Sequence, residues 1–188
     1  MLWAFLYLCN EEDLQDRIYN EMVTQLGRAP RWEDRHNLPY VNAAITEVQR
    51  LANIVPLGVF HRTMESTKLA GYDIPKDSLI IINHWTAMRN PQLYPNPEKF
   101  DPSRFLEDPL SKESKKRKEG VIPFSLGKRS CLGESLARME LFLFFTSLLY
   151  HFRFKFSENG NKPLPTSAPS PGITLSPPEY RVCLIPRQ

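Results

Sequence analysis

Residues 124–133 read Phe124-Ser125-Leu126-Gly127-Lys128-Arg129-Ser130-Cys131-Leu132-Gly133, and they place a thiol where a thiolate would be stabilised. The apolar run from Leu132 to Tyr150 reads as a helix almost free of breakers, so Cys131 falls just before its start. A helix N-terminus presents free backbone N–H groups and the positive end of the dipole. Both favour thiolate over thiol and lower the pKa from about 8.5. A thiolate is the form in which sulfur serves as a soft metal ligand. The neighbours suit a metal-bearing cofactor. Gly127 permits backbone angles that a side chain forbids, and Gly133 lets a flat group approach the backbone. Phe124 can cover the sulfur and limit water, which tunes a redox potential. Arg129 can pair with a carboxylate on a cofactor rim. A lone cysteine at a helix start is ordinarily structural; five constrained positions at fixed spacing favour the ligand.

This loop resembles the cysteine-loop signature of the cytochrome P-450 family of haem-thiolate monooxygenases, and the resemblance runs along the chain. Glu47-Val48-Gln49-Arg50 is similar to the family's Glu-x-x-Arg helix, and Phe100-Asp101-Pro102-Ser103-Arg104-Phe105 to its Pro-x-Arg-Phe segment. The resemblance implies a buried cluster of Glu47, Arg50 and Arg104. Glu47 and Arg50, three apart, share a helix face; Arg104 reaches them only if the proline-rich stretch folds back. His61 falls at a propionate-binding position, with Phe60 where the family has proline. Leu57, Gly58 and Val59 match one substrate-lining segment, and Pro171, Gly172, Ile173 and Thr174 a second.

The implied cofactor is haem b, with NADPH serving indirectly through a flavin reductase. The implied fold is α+β and mainly helical, the C-terminal part of the family fold with small sheets. Cys131 would be the metal ligand, with Phe124, Gly127, Arg129, Gly133 and His61 binding the cofactor. The wording resembles the animal microsomal branch that handles xenobiotics, fatty acids and steroids. That implies an apolar substrate and the endoplasmic reticulum membrane. A reductase would dock on a basic face carrying Lys115, Lys116, Arg117, Lys128 and Arg138. The family's membrane anchor and distal acid–alcohol helix have no counterpart here, and Met1–Leu8 resembles the last turns of that helix. An inactive truncated product is therefore the alternative expectation.

The elements that must position these groups follow from patterning. The chain has 188 residues, 41% hydrophobic and 24% charged, enough for one domain with a core. Its net charge of +3 gives no case for nucleic acid. Charge is concentrated at residues 111–130, with seven basic side chains against two acidic; a solvated loop is the default reading of such a run. Cys9, Cys131 and Cys183 form no disulfide framework or paired zinc motif, which suits a reducing compartment. The apolar start Met1–Cys9 is too short for a span of about 20 residues and reads as a buried helix end.

Helices dominate residues 1–52. Asn10 is the expected N-cap of a helix with Glu11, Glu12 and Asp13 in its first turn, stopped by Gly27. A second runs from Pro39 to Ala52. Residues 54–83 read as a β region, with strands at Thr67–Ile74 and Leu79–Ile82 around a turn at Pro75-Lys76-Asp77. Six prolines between Pro91 and Pro123 predict a coiled meander over 91–123. The cysteine loop 124–133 follows, then a helix over 132–150 that is apolar nearly all round and so expected to be buried. Strands at 151–188 close the chain, with Ser176–Glu179 turning a terminal hairpin. The whole of 1–188 is expected to be one partial haem-thiolate domain.

Overall fold

The computed structural model describes residues 1–106, 110–170 and 172–187; Pro171, one expected substrate-lining residue, lies outside them. Its order is helices, two small ribbons, an irregular stretch, a long helix and a terminal ribbon, an α+β fold that is mainly helical.

Helix α1 (Leu2–Asn10) buries six of its nine residues, among them Trp3, Leu6 and Leu8. Helix α2 (Glu12–Leu26) stops at Gly27, whose φ of 63° is the left-handed end glycine adopts without strain. Asn10 does not cap α2. It is the last residue of α1, and its amide donates to Leu6 O and Pro163 O. Glu11 takes the cap position. Helix α3 (Pro39–Ala52) begins where expected, with proline in its first turn. Its first N–H groups are satisfied by α2: both carboxylate oxygens of Glu21 accept, from Tyr40 N and Val41 N, at 2.9 Å each.

The β region makes two separate ribbons. Strand β1 (His61–Arg62) pairs with β4 (Leu79–Ile80), and β2 (Thr67–Leu69) with β3 (Tyr72–Ile74), both antiparallel. The expected single strand 67–74 is thus a hairpin, because Ala70 and Gly71 turn it with φ of 50° and 88°. A short helix α4 (His84–Ala87) follows, capped by the Asn83 side chain at Thr86 N.

The meander is not all coil. Its basic run forms helix α5 (Lys112–Glu119), a correction to the expected loop. Ser111 caps it by accepting from Ser114 N at 3.0 Å, and Arg117 pins it by donating to Leu93 O and Arg104 O at 2.8 and 3.0 Å. Arg117 is therefore a brace inside the meander.

Helix α6 (Glu134–His151) starts two residues later than expected. It is buried only toward its C-terminal half, at Phe142, Phe145, Thr146 and Leu149. Leu136 and Phe144 are exposed, so burial all round does not hold among the described residues. Strand β5 (Phe152–Phe156) pairs antiparallel with β6 (Val182–Pro186), Phe154 opposite Leu184. Residues 157–181 connect them, so Ser176–Glu179 does not turn the hairpin; Ser176 instead bridges back to Ser170. The main core joins α1, α2, α3, α6 and β5. Gln15 of α2 clasps it: its amide donates to Leu8 O and Phe154 O, and accepts from Phe154 N, at 2.8–2.9 Å.

Candidate functional site

One backbone bond closes the cysteine loop: Cys131 N donates to Phe124 O at 2.9 Å. Inside it, Ser125 and Gly127 take φ of 62° and 77°. A Cβ at Gly127 would meet nothing within 4 Å, so glycine is required there for its backbone angle and not for room. The Cys131 thiol is free and exposed. It sits three residues ahead of α6, with Glu134 N donating to Cys131 O at 3.3 Å. A Cβ built on Gly133 would lie 3.9 Å from Cys131 Sγ, so glycine keeps the flank of the sulfur clear.

Phe124 is half-buried beside this loop, with the Arg138 guanidinium 5.3 Å over its ring. Phe124 and Pro123 also wall a cavity of about 470 Å³. Helix α6 supplies Ala137, Glu140, Leu141 and Phe144 to it; α3 supplies Val48, Gln49 and Ala52, and its C-cap Asn53 adds to them; Met1 and Trp3 complete the lining. Asn53 Nδ2 is buried in that wall with no hydrogen-bond partner. Arg129 is exposed and has no carboxylate partner among the described residues. No cluster of three or more His, Cys, Asp or Glu side chains among the described residues is placed to hold a metal ion. A cleared sulfur, an apolar slot and an unpaired arginine fit a flat cofactor with an anionic rim.

The positional frame is a buried ion cluster. Glu47 and Arg50 are fully buried and Arg104 is 7% exposed. Arg50 Nε donates to Glu47 Oε2 at 2.6 Å and Nη2 to Oε1 at 2.9 Å. Arg104 Nε reaches Oε1 at 3.0 Å, as does Asp101 N. The spare guanidinium donors are used on the end of α4 and the meander: Arg50 on Met88 O and Pro97 O, Arg104 on Pro95 O and Lys99 O. Three residues thus tie α3 to the segment that leads into the cysteine loop. A 3-10 turn at Pro102–Phe105 presents Arg104 for this, capped by Asp101 at Ser103 N.

Beside the two expected substrate-lining segments, Leu175 N donates to Ile54 O at 2.8 Å, and Trp3 Nε1 to Leu175 O at 3.0 Å. Leu57, Val59 and Ile173 are exposed, Ile173 at 95%, and so is Thr174. Gly58 takes φ of 61°, and a Cβ there would lie 3.0 Å from the ring of His84. His84 is buried, which lowers its pKa from the ordinary value, with the Val55 carbonyl opposing weakly. His61 is half-buried on β1, opposite Ile80. Lys115, Lys116 and Lys128 are exposed, whereas Arg138 is held by Glu134 at 2.8 Å.

Sequence reading missed the cavity wall on α6. Ala137, Glu140, Leu141 and Phe144 follow i, i+3, i+4, i+7 spacing, but the uniform apolarity of the helix hides that stripe. Gly58 facing His84 had no local signal.

A family model described as Cytochrome P450 matches residues 1–184. Cytochrome P450 2U1 of Homo sapiens is 43% identical over 98% of this chain and 33% of that protein. Cytochrome P450 2J1 of Oryctolagus cuniculus is 41% identical over 100% of this chain and 36% of that protein. Among solved structures, a zebrafish cytochrome P450 with abiraterone superposes with a TM-score of 0.86 at 34% identity, covering 99% of this chain and 42% of that one. The chain spans about a third of the length of these curated relatives.

Proposed function

This chain belongs to the cytochrome P450 family, and on that premise we propose that residues 1–188 are the proximal part of a haem-thiolate monooxygenase. The reading rests on Cys131, an exposed thiol in a bonded loop with its flank kept clear by Gly133. Cys131 would ligate the iron of haem b, and when bound the haem supplies the oxygen chemistry, inserting one atom of O₂ into an apolar substrate. No helix among the described residues is long and apolar enough to cross a membrane; placement at the endoplasmic reticulum is proposed from the family branch.

The roles of this chain's residues follow from their surroundings. The Cys131 N–H bonds Phe124 O and so fixes the sulfur's direction. Phe124, braced by Arg138, would limit water at the sulfur once a cofactor covers the other side. Arg129 and His61 would hold the propionates of the rim. The Glu47–Arg50–Arg104 cluster keeps the meander, and with it the loop, in register with α3. Leu57, Val59, Ile173 and Thr174 would form part of an apolar wall for a xenobiotic, fatty acid or steroid. Lys115, Lys116, Lys128 and Arg138 offer an acidic, NADPH-fed flavin reductase a basic face, steering its approach. Exposed Leu132, Leu136 and Phe144 favour the second reading, that these 188 residues by themselves do not turn over.

The test is optical. The haem-loaded protein, reduced and bound to carbon monoxide, is expected to give the spectrum of thiolate ligation, and Cys131→Ser to lose it. A Cys131→Ser protein that keeps that spectrum would refute the assignment.

A further inference from the structure

Next to the cavity beside Phe124, along α3, lies a second one, of about 620 Å³, with a different character. Three permanent cations line it, Arg35, Lys118 and Arg138, and no carboxylate does among the described residues. They come from three separate elements: the 3-10 turn Trp32–Asn37, α5 and α6. Arg35 is held rigid on Trp32, its guanidinium 4.3 Å over the ring and Nη1 donating to Trp32 O at 3.0 Å. Lys118 is exposed and makes no ion pair among the described residues. The single carboxylate bonded to Arg138, that of Glu134, is not part of the lining. The rest of the lining is mixed: Ala43, Phe105 and Val121 are apolar, while His36, Asn42, Thr46 and Gln49 add polar side chains. Convergent positive charge beside an apolar patch and hydrogen-bonding side chains is the composition of a site for an organic anion.

We propose that this cavity binds a small organic phosphate: a phosphate monoester held by Arg35, Lys118 and Arg138, with its flat body on Phe105 and Val121. The volume matches a ligand of roughly nucleoside monophosphate size, within the range of about 300–1,000 Å³ for such pockets. A rigid arginine on an aromatic ring loses little freedom on binding, and a guanidinium matches phosphate geometry.

The site is wired to the cysteine loop. Gln49 lines both this cavity and the apolar one beside Phe124. Arg138 lines this cavity and lies over the Phe124 ring. Phosphate drawing Arg138 off that ring would change the cover over the Cys131 sulfur. Binding itself is independent of the haem reading, because none of the three cations is the iron ligand.

Titration calorimetry on the haem-loaded protein tests it, with adenosine 5′-monophosphate, adenosine and inorganic phosphate as probes. Saturable one-to-one binding of the monophosphate is expected, with adenosine at least tenfold weaker. Lys118→Gln should weaken it about tenfold, Lys118→Arg should restore it, and Lys115→Gln, outside the lining, should leave it unchanged. A shift of the Soret band on saturation is expected from the Arg138–Phe124 link. Equal affinity for adenosine, no saturable binding, or an equal loss in Lys115→Gln would overturn the proposal. Binding with an unmoved Soret band would overturn the link to the cysteine loop.

Discussion

Replacing Glu47 by alanine is the sharpest test of how the loop is positioned. The carboxylate accepts four bonds, two from Arg50, one from Arg104 and one from Asp101 N, all within 3.0 Å. Its removal leaves two buried guanidinium groups with no counter-charge. Each keeps two backbone carbonyls, so the cations stay hydrogen-bonded but uncompensated. Removing one partner of a buried ion set costs about 3–5 kcal/mol, a large share of a typical folding stability of about 5–15 kcal/mol. At about 2–4 °C per kcal/mol for a chain of this size, the unfolding midpoint should fall by about 6–20 °C. Arg104→Ala should cost less, because Glu47 retains Arg50 and Asp101 N. Replacing all three by apolar residues should not recover stability, since the carbonyls of Met88, Pro95, Pro97 and Lys99 would then lack donors. The assay is thermal unfolding followed by tryptophan fluorescence, with Glu65→Ala as an exposed control. A Glu47→Ala midpoint within about 2 °C of that control, the scale of an ordinary surface substitution, would refute the reasoning.

Other outcomes follow from single residues. Gly58→Ala must place a Cβ 3.0 Å from the His84 ring at a φ of 61°, and should destabilise by about 1–3 kcal/mol, read by the same unfolding assay. His84 has a folded-state pKa below its unfolded value of about 6.5. The unfolded chain therefore binds the proton more readily, and the stability His84 contributes is full above about pH 6.5 and lost as pH falls through the lowered value. His84→Leu should flatten the acid limb of stability against pH; an unchanged limb would exclude this origin. Gly127→Ala carries backbone strain alone, so it should cost about 1 kcal/mol and reduce haem retention on a sizing column.

What the sequence made legible was local or charge-coded. Gly27 ended α2, Pro39 opened α3, and Glu47 with Arg50 sat at an interval that places both on one helix face. Arg104 was legible only through the resemblance, because a contact across 57 residues leaves no periodic trace. Asn10 misled because its amide has two better acceptors, one of them 153 residues away. The basic run misled because lysine and glutamate are good helix formers once Ser111 caps them and Arg117 finds the Leu93 and Arg104 carbonyls. At 67–74 the β signal was sound, but the left-handed pair Ala70–Gly71 split it. In α6 the apolar count gave the helix and concealed which face lines the cavity.

The bonds that satisfy α1 span nearly the whole chain. Trp3 is met by Leu175, Leu2 O by the Tyr180 hydroxyl, and Asp16 of α2 by Arg187. During synthesis, then, the first helix emerges long before its partners exist. At about 5–20 residues per second, the ribosome takes roughly 9–34 s to travel from Trp3 to Leu175. Through that interval six apolar or aromatic-rich positions of α1 have no terminal strap to lie against. Residues 175–187 strap α1 and α2 late, and a nascent chain stopped before them should be held by chaperones rather than released native.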